Sequence, residues 1–334
     1  MSATGASVTF LLQLVRKTEE ATKIEKPNVI FFILINSFEI ICCNLAQKFE
    51  STKYVKNMLV FPNCKINLGL NITKKREDGF HDIETVFYPI NWCDALEVIE
   101  VKDQSEPFVF SESGLLINGK KEDNLIFKAW KLITELKAIP PIKVHLHKNL
   151  PMGAGLGGGS SDAAFFINLV DKKFNLGLSY LEKSDLASKL GSDCSFFIKN
   201  EPVLATGKGN EFSPISIDLS NFYILVVYPN IHSNTKAAYD GIIPSIPKND
   251  LRFIIESKPI KEWKNCLRND FEETVFIKYP QIKTLRDSFY EGGALYACMS
   301  GSGSSVFGIF DKEPTLSFDQ NYKFYLQTPA SKIL

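Results

Sequence analysis

A glycine-rich run of eleven residues, from Pro151 to Ser161, constrains this chain more than any other feature of its sequence. Five glycines lie between Gly153 and Gly159, directly after a strand-like segment and directly before a helix-like one. Glycine lets the backbone take positive φ and lets an anion approach the N–H groups closely. The N-terminus of the following helix adds partial positive charge. The run therefore predicts a phosphate-binding loop and not a flexible linker.

Two common nucleotide-binding loops do not fit the run. Gly153 to Gly158 formally matches Gly-x-Gly-x-x-Gly, but a dinucleotide fold also needs an acidic residue about 20 positions further on, ending a second parallel strand. Leu176, Gly177 and Leu178 stand near that distance, and no such strand is visible. The Walker pattern fails because no Gly-Lys-Ser/Thr closes the loop. The loop must belong to another class of phosphate binder.

Composition excludes several classes of protein. Hydrophobic residues make up 45% of the chain and charged residues 23%, which is typical of folded domains and not of disorder. Lys and Arg number 38 against 38 Asp and Glu, so the chain lacks the basic excess that nucleic-acid binding needs. Seven cysteines without a Cys-x-x-Cys pair fit neither a disulfide framework nor a zinc cluster. We therefore expect a cytoplasmic protein.

The first 57 residues differ from the rest of the chain. Asn28 to Ala46 is rich in Ile, Phe and Leu, but Glu39 stands where a charge costs most in a membrane span. Charged residues precede the stretch and no small-residue cleavage motif closes it, so a signal peptide fits poorly. A strand-like run begins directly after Met58. We expect residues 1–57 to be an extension outside the fold, and membrane attachment is the alternative if this stretch inserts.

The rest of the chain alternates between strand-like and helix-like segments. Leu96–Val101 and Ile142–His147 alternate apolar and polar residues, as half-buried strands do, and Phe222–Tyr228 suits a fully buried strand. We interpret His145 and His147 as surface residues. They share one strand face without a carboxylate nearby in the sequence.

Three helices follow from spacing and capping signals. The first opens after Asn124, and the second runs from about Ser160 to Phe174. The third begins with a capping box formed by Ser179 and Glu182 and ends at Gly191.

The gap between Asn210 and Asn221, which contains Pro214, is the best candidate for a domain boundary. We therefore expect an α+β chain in two lobes. Residues 58–215 would form the N-terminal lobe, which carries the phosphate loop, and residues 216–334 the C-terminal lobe.

Three stretches occur in an order that points to a family. Pro62–Leu70 comes first, Pro151–Ser161 has the form Pro-x-x-x-Gly-Leu-Gly followed by glycines and two serines, and Ser300–Ser305 precedes an apolar pair. Together they resemble the three motifs of the GHMP-type small-molecule kinases, which include galactokinase, homoserine kinase and mevalonate kinase. The resemblance implies a two-lobed α+β fold whose N-terminal lobe is like domain 2 of ribosomal protein S5, and ATP-dependent phosphorylation of an alcohol.

Shorter stretches narrow the resemblance. Lys65–Asn67, Arg76–His81 and Leu190–Asp193 resemble the branch whose alcohol carries a cytidine diphosphate group and is phosphorylated on its 2-hydroxyl, in the non-mevalonate route to isoprenoid precursors. Two alternatives stay open. A related kinase of homoserine or mevalonate type would not need the Phe80–His81 pair. A non-catalytic ligand-binding relative would lose the pair of Lys65 and Asp193, which this chain keeps.

By this resemblance Asp193 is the catalytic aspartate, which takes the proton from the reacting hydroxyl. It follows the predicted helix end at Gly191. Lys65 lies on an otherwise apolar strand, where a lysine is unusual unless it has a partner. The resemblance places it beside the aspartate and the hydroxyl. Cys194 and Ser195 depart from the family, which commonly has Val-Pro after the aspartate.

Four residues match substrate contacts of the resembled branch. Phe80 and His81 would hold the cytosine ring, and phenylalanine in place of the usual tyrosine keeps the stacking face without the hydroxyl. Asn67 would approach the alcohol end of the substrate. Thr235 would contact the substrate from the second lobe.

The resemblance also implies where ATP lies. The nucleotide would follow the glycine run, with the alcohol in the cleft between the lobes. The residues expected to bind ATP are Pro151, Met152, Gly153, Ala154, Gly155, Leu156, Gly157, Gly158, Gly159, Ser160 and Ser161. Mg²⁺ is expected mainly on phosphate oxygens and water, with Ser161 as its nearest protein neighbour and no metal ligand assigned. We expect no nucleic-acid partner, and a monomer or a homodimer.

Overall fold

The structure, a computed structural model, describes residues 58–102, 105–117 and 119–330. These residues belong to one compact unit. The predicted N-terminal extension, residues 1–57, lies outside the described residues. Within the described residues, no helix is long and apolar enough to cross a membrane.

Strands and helices occur in runs along the described chain and not in the simple alternation that the sequence predicts. The strands are β1 (Leu59–Val60), β2 (Asn63–Lys75), β3 (His81–Cys93), β4 (Ala95–Glu100), β5 (Phe108–Gly114), β6 (Ile142–Lys148), β7 (Val203–Thr206), β8 (Glu211–Pro214), β9 (Tyr223–Tyr228), β10 (Tyr296–Met299), β11 (Val306–Phe310) and β12 (Lys323–Gln327). The helices are α1 (Leu125–Leu136), α2 (Gly158–Phe174), α3 (Tyr180–Ser188), α4 (Cys194–Lys199), α5 (Thr235–Tyr239), α6 (Leu251–Ser257), α7 (Ile260–Trp263), α8 (Phe271–Lys278) and α9 (Pro280–Glu291).

The described strands form three four-stranded sheets, in the orders β1-β4-β6-β5, β2-β3-β7-β8 and β10-β11-β9-β12. In the first sheet β5 runs parallel to β6, whereas β4 pairs with β6 antiparallel. The long antiparallel hairpin β2–β3 dominates the second sheet. The third sheet is antiparallel throughout. This is an α+β arrangement, and it confirms the predicted fold class.

The first sheet is covered by helices on its apolar face. Ile142, Val144 and Leu146 are fully buried on that face, as their alternation with polar residues predicts. They pack in one hydrophobic cluster with Ile126 of α1 and Ile167 of α2. The core therefore holds both β6 and α2, and the glycine run that connects them is anchored on each side.

Strand β2 reaches from one part of the core into another. Ile66 and Leu68 pack in a cluster with Ile224 of β9, whereas Leu70 and Ile72 pack in the cluster that contains Phe289 of α9. Residues 215–222 connect β8 to β9 and thus the second sheet to the third. The division into lobes at 215/216 stays a prediction.

Local capping signals match the sequence analysis in most respects. The Asn124 side chain accepts a hydrogen bond from Ile126 N at the start of α1. Ser179 and Glu182 form the predicted capping box. The predicted end of this helix at Gly191 is wrong, because α3 ends at Ser188. The N–H groups of Leu190 and Gly191 both donate hydrogen bonds to the Ala187 carbonyl, and the helix ends before Gly191.

His145 and His147 are not simple surface residues. Both are half-buried on the sheet face opposite the helices. Ser111 Oγ lies 2.8 Å from His145 Nδ1, and Ser113 Oγ lies 2.9 Å from both His145 Nε2 and His147 Nδ1. The sequence could not show this, because the serines come from β5, which is distant along the chain and parallel to β6.

Candidate active site

The glycine run forms a loop that only glycine can build. Gly153, Gly155 and Gly157 all have positive φ, at +63°, +78° and +73°. A Cβ atom at Gly155 would lie 2.1 Å from the carbonyl oxygen of Ser300, which is backbone and cannot swing away. The second and third predicted motifs therefore touch at Gly155.

Three successive carbonyl oxygens of the loop accept hydrogen bonds from the protein. Ser305 N donates to the Ala154 oxygen at 3.1 Å, Ser300 Oγ to the Gly155 oxygen at 2.9 Å, and Lys65 N to the Leu156 oxygen at 3.0 Å. The donors belong to the first and third predicted motifs. A loop whose carbonyl oxygens are bound by the protein keeps its N–H groups for an anion.

Helix α2 opens directly from this loop. It begins at Gly158, two residues before the predicted start at Ser160, and runs for 17 residues. Its N-cap is Gly157 in the left-handed conformation, and no side chain caps its first turn. The N–H groups of that turn have no partner within the helix. The loop and the uncapped helix end together form the kind of site that binds phosphate.

Lys65 and Asp193 meet beside the loop. Lys65 Nζ lies 3.5 Å from Asp193 Oδ2, and their side chains are 4% and 34% exposed. Asp193 stands at the N-cap of α4, and its side chain makes no capping hydrogen bond. The Lys65 ammonium also donates to the Gly155 carbonyl at 3.3 Å and lies 4.8 Å from the centre of the Phe87 ring. A buried cation thus joins the phosphate loop to a solvent-facing carboxylate.

Asn67 lies beneath this pair. Its side-chain oxygen accepts a hydrogen bond from Lys65 Nζ at 2.7 Å, and its Nδ2 donates to Thr85 Oγ1 at 3.0 Å. Ser300 Oγ lies 3.4 Å from the same Asn67 oxygen. Asn67 is almost fully buried, so in this structure it orients the Lys65 ammonium. Its direct contact with substrate stays a prediction.

The predicted substrate pair lies where the β2–β3 hairpin turns. Phe80 is 57% exposed in the loop between the strands. His81 opens β3, and its ring stacks on Tyr239 of α5 with centroids 4.6 Å apart. Burial, with a smaller effect from the nearby Lys75 ammonium, lowers the pKa of His81. The imidazole is therefore neutral near pH 7 and presents one donor and one acceptor nitrogen.

Tyr239 is a site residue that the sequence analysis missed. Burial raises its pKa, and the negative charge of Asp193 raises it further, so Tyr239 lies near the predicted base. Its ring also packs edge-on against Phe271 at 4.7 Å. A signal was available, because Tyr239 stands four residues after Thr235 and on the same face of a helix.

Thr235 contacts the third motif. Its hydroxyl lies 2.9 Å from the Ser302 hydroxyl, and Ser233 Oγ donates to the Ser302 carbonyl at 2.8 Å. The Asn234 side chain caps the short helix α5. These bonds hold α5, and with it Tyr239, against the loop that also touches Gly155.

A buried charge cluster supports the phosphate loop from behind, and the sequence analysis missed it as well. Lys148 Nζ lies 2.5 Å from Asp94 Oδ2 and 2.7 Å from Asp162 Oδ2, with all three side chains almost fully buried. Asp94 also accepts hydrogen bonds from the N–H groups of Asn149 and Leu150. Burial opposes the charged form of Lys148, but the two carboxylates raise its pKa overall. The cluster fixes the strand end and the helix start that flank the loop.

Metal-binding residues are not grouped at this site. Within the described ranges, no set of three or more His, Cys, Asp or Glu residues could hold a metal ion. The Ser161 hydroxyl, in the first turn of α2, is buried and makes no hydrogen bond. Ser161 is the residue predicted to lie nearest the metal ion, and its role there stays a prediction.

Family models match both halves of the described chain. The model for the GHMP kinases N-terminal domain matches residues 124–200, which include the glycine loop and Asp193. The model for the GHMP kinases C-terminal region matches residues 254–321, which include the Ser300–Ser305 loop.

Whole-chain comparisons narrow the relationship. A protein from Bacteroides fragilis named 4-diphosphocytidyl-2-C-methyl-D-erythritol kinase is 48% identical over 272 residues, covering 81% of this chain and 99% of that protein. A kinase of the same name from Cytophaga hutchinsonii is 49% identical over 265 residues, covering 79% of this chain and 96% of its own length.

Solved structures agree with these matches. A crystal structure of 4-(cytidine 5'-diphospho)-2C-methyl-D-erythritol kinase matches with a TM-score of 0.65 and 29% identity, over 75% of this chain and 90% of the other. Mevalonate kinase from Methanococcus jannaschii matches with a TM-score of 0.58 at 14% identity, over 81% of this chain and 97% of the other, and shows a shared fold only. The chain therefore belongs to the GHMP kinase family, and within that family to the group of 4-diphosphocytidyl-2-C-methyl-D-erythritol kinases.

Proposed function

We propose that this enzyme transfers the γ-phosphoryl group of ATP to the 2-hydroxyl of 4-diphosphocytidyl-2-C-methyl-D-erythritol. The observation that carries the proposal is the contact between Lys65 and Asp193 beside the carbonyl of Gly155. It brings a cation, a carboxylate and a phosphate loop together, which is what phosphoryl transfer to an alcohol requires. The two relatives of 48% and 49% identity carry the name of this activity.

The phosphate loop binds and orients the triphosphate. Its carbonyl oxygens at residues 154–156 are already bound by protein donors, so the N–H groups and the uncapped end of α2 meet the phosphates. The Lys65 ammonium, fixed by Asn67, stabilises the negative charge that develops on the transferred group. Buried and hydrogen-bonded, this ammonium needs no rearrangement during the reaction.

Asp193 takes the proton from the substrate. As the 2-hydroxyl oxygen forms its bond to the γ-phosphorus, the bond from that phosphorus to the bridging oxygen breaks and ADP leaves. The hydroxyl proton passes to the Asp193 carboxylate, whose side chain is 34% exposed and can therefore meet substrate.

Mg²⁺ supplies charge neutralisation on the phosphates when it is bound. The free Ser161 hydroxyl in the first turn of α2 fits a contact to that ion or to one of its water ligands. Phosphate oxygens and water would supply most of the ligands.

The cytosine ring is recognised by the aromatic group formed by Phe80, His81 and Tyr239. Phe80 offers an exposed face, and His81, the next residue along the chain, stacks on Tyr239. The neutral imidazole can also donate to or accept from the edge of a base.

A substrate panel tests the proposal. Purified protein is mixed with ATP and Mg²⁺ and offered the cytidine-bearing alcohol, homoserine or mevalonate, while ADP release is followed. We expect turnover with the cytidine-bearing alcohol at least about a hundredfold above the others, because the aromatic wall has no role with the small alcohols. Preference for homoserine or mevalonate would assign the enzyme to another branch. If none of the three alcohols causes ADP release, the protein would be a non-catalytic ligand-binding relative.

We further propose that the enzyme works in the cytoplasm, since its cysteine pattern suits a reducing compartment. A monomer or a homodimer stays our expectation, and sedimentation of the purified protein decides between them.

A further inference from the structure

Phe80 is held by a residue from a neighbouring hairpin. The Lys208 ammonium lies 4.3 Å from the centre of the Phe80 ring. Within such a distance a cation over an aromatic face is attracted by the ring. The Phe80 side chain is otherwise largely exposed, at 57%, so this contact covers one of its two faces.

Lys208 reaches Phe80 because two hairpin turns are bonded together. Lys208 lies in the β7–β8 turn, between Gly207 and Gly209, which both have positive φ. The Gly207 carbonyl accepts a hydrogen bond of 2.7 Å from Ile83 N, just after the β2–β3 turn. A Cβ at Gly209 would touch the Ile83 side chain at 3.1 Å, so the two turns are also in van der Waals contact.

Asp78 ties the lysine to the backbone of Phe80. Lys208 Nζ lies 2.8 Å from Asp78 Oδ2, and Phe80 N lies 3.1 Å from Asp78 Oδ1. Arg76 lies 3.2 Å from Asp78 and 2.6 Å from Asp82. The hydrogen bond from Lys208 is the main cause that lowers the Asp78 pKa to about 2. The carboxylate is thus ionised at any pH at which the enzyme would be assayed.

We propose that Lys208 is a positioning residue for nucleobase recognition, which fixes the Phe80 ring from one face and leaves the other face to stack on the cytosine. This inference rests on the proposed function. An exposed aromatic side chain in a turn has free rotamers, and ordering it on binding costs affinity. Lys208 and Asp78 order it beforehand, one through the ring and the other through the backbone.

The test compares Lys208→Met, which keeps the apolar stem, with Lys208→Arg, which keeps the cation. Lys208→Met should raise KM for the cytidine-bearing alcohol about two- to fivefold, the range of an exposed cation–π contact, with kcat and KM for ATP unchanged. Lys208→Arg should restore the wild-type KM. Lys283→Met is the matched control, because Lys283 also sits in a surface ion pair, with Asp287, but contacts no part of the site.

A double variant shows whether Lys208 acts through Phe80. In the Phe80→Ala background the change Lys208→Met should have no further effect on KM. An unchanged or lower KM in Lys208→Met alone would overturn the inference. The Lys208 ammonium would then contribute nothing to binding of the cytosine ring, or would hinder it. An undiminished effect in the Phe80→Ala background would overturn it too.

The substrate panel separates this inference from the proposed function. If the wild-type enzyme prefers the cytidine-bearing alcohol but Lys208→Met has the wild-type KM, the proposed function is supported and the role of Lys208 is overturned. A wild-type enzyme without that preference overturns both.

Discussion

The Lys65 ammonium lies 3.5 Å from the Asp193 carboxylate, yet the lysine side chain is 4% exposed and the aspartate side chain 34%. Lys65 is fixed by Asn67 and the Gly155 carbonyl, whereas Asp193 makes no capping bond to its own helix. The cation is therefore part of the framework, and the carboxylate is the member of the pair that can meet substrate.

Replacing Asp193 by Asn should lower kcat by about a hundredfold or more. The amide keeps the size of the side chain but cannot take the hydroxyl proton. KM for ATP should change little, because the phosphate loop is bound by residues that this variant leaves intact. Steady-state kinetics with the cytidine-bearing alcohol measures both. Near-normal kcat would remove Asp193 from the catalytic residues.

Lys65→Ala should lower kcat to a similar extent, and the double variant Lys65→Ala/Asp193→Asn should be little worse than either single variant. Residues that act as a unit are not additive. A fully additive loss in the double variant would show that the two side chains act in separate steps.

Removing the aromatic wall should affect one substrate only. Phe80→Ala combined with His81→Ala should raise KM for the cytidine-bearing alcohol at least about tenfold, with KM for ATP nearly constant, since base stacking is worth about 1–3 kcal/mol. Tyr239→Leu, which removes the partner of His81, should act in the same direction. Equal weakening of both substrates would identify these residues as structural.

Gly155→Ala should damage the phosphate loop. The new Cβ would lie 2.1 Å from the Ser300 carbonyl oxygen at a φ of +78°. We expect a loss of about 1–3 kcal/mol in the free energy of unfolding, the usual cost of such backbone strain, and a raised KM for ATP. Gly159→Ala is the matched control for stability, because its Cβ would have no neighbour closer than 4.0 Å. Thermal melts that fall equally for both would contradict the role of the Ser300 contact.

Lys148→Met should destabilise the fold by about 3–5 kcal/mol, since it leaves the Asp94 and Asp162 carboxylates buried without their cation. Adding Asp162→Asn should recover part of the loss. Lys199→Met is the control, because it removes an ion pair with Glu201 in which both side chains are 59% exposed. It should leave the urea concentration at the midpoint of unfolding nearly unchanged. Similar midpoints for Lys148→Met and wild type would mean that the cluster is not ionised.

Glu97 of β4 and His145 of β6 are paired across the first sheet, and their side chains should give opposite pH dependences of the free energy of unfolding. Burial raises the Glu97 pKa to about 7 from 4.5, so its contribution to stability is present below pH 4.5 and is lost as pH rises to about 7. Burial lowers the His145 pKa to about 4 from 6.5, so its contribution is present above pH 6.5 and is lost as pH falls to about 4.

Single variants separate these two contributions. Relative to wild type, the free energy of unfolding of Glu97→Gln should increase as pH rises from about 4.5 to 7, and that of His145→Asn should increase as pH falls from about 6.5 to 4. Urea unfolding across this range gives both slopes. Parallel curves for wild type and both variants would mean that neither group changes its pKa on folding.

The sequence predicted what is decided locally. The glycine run needs positive φ at alternate positions, and the capping box of Ser179 and Glu182 is complete within four residues. By contrast, the pairing of Lys65 with Asp193 followed from the family resemblance and not from spacing. No local rule could bring together a strand and a helix start so far apart in the chain.

The residues that were missed take their partners from tertiary contacts, although the spacing of Tyr239 from Thr235 gave a local signal. Lys148 falls on the same buried face of its strand as Val144 and Leu146, and only Asp94 and Asp162 make the burial of its charge tolerable. Tyr239 becomes a site residue because the Thr235–Ser302 bond carries α5 to the third motif. His145 was interpreted as a surface residue from the sequence of its own strand, whereas the serines that contact it come from β5.

The hydrogen bonds from Ser300 and Ser305 to the glycine loop have a consequence for synthesis of the protein. The loop is translated about halfway along the chain, while the donors that set its shape come close to the end. A nascent chain on the ribosome therefore carries the glycine run well before it can capture a nucleotide. We expect ATP binding to arise only once the segment through Ser305 has left the exit tunnel, so that truncated chains neither sequester nor consume ATP.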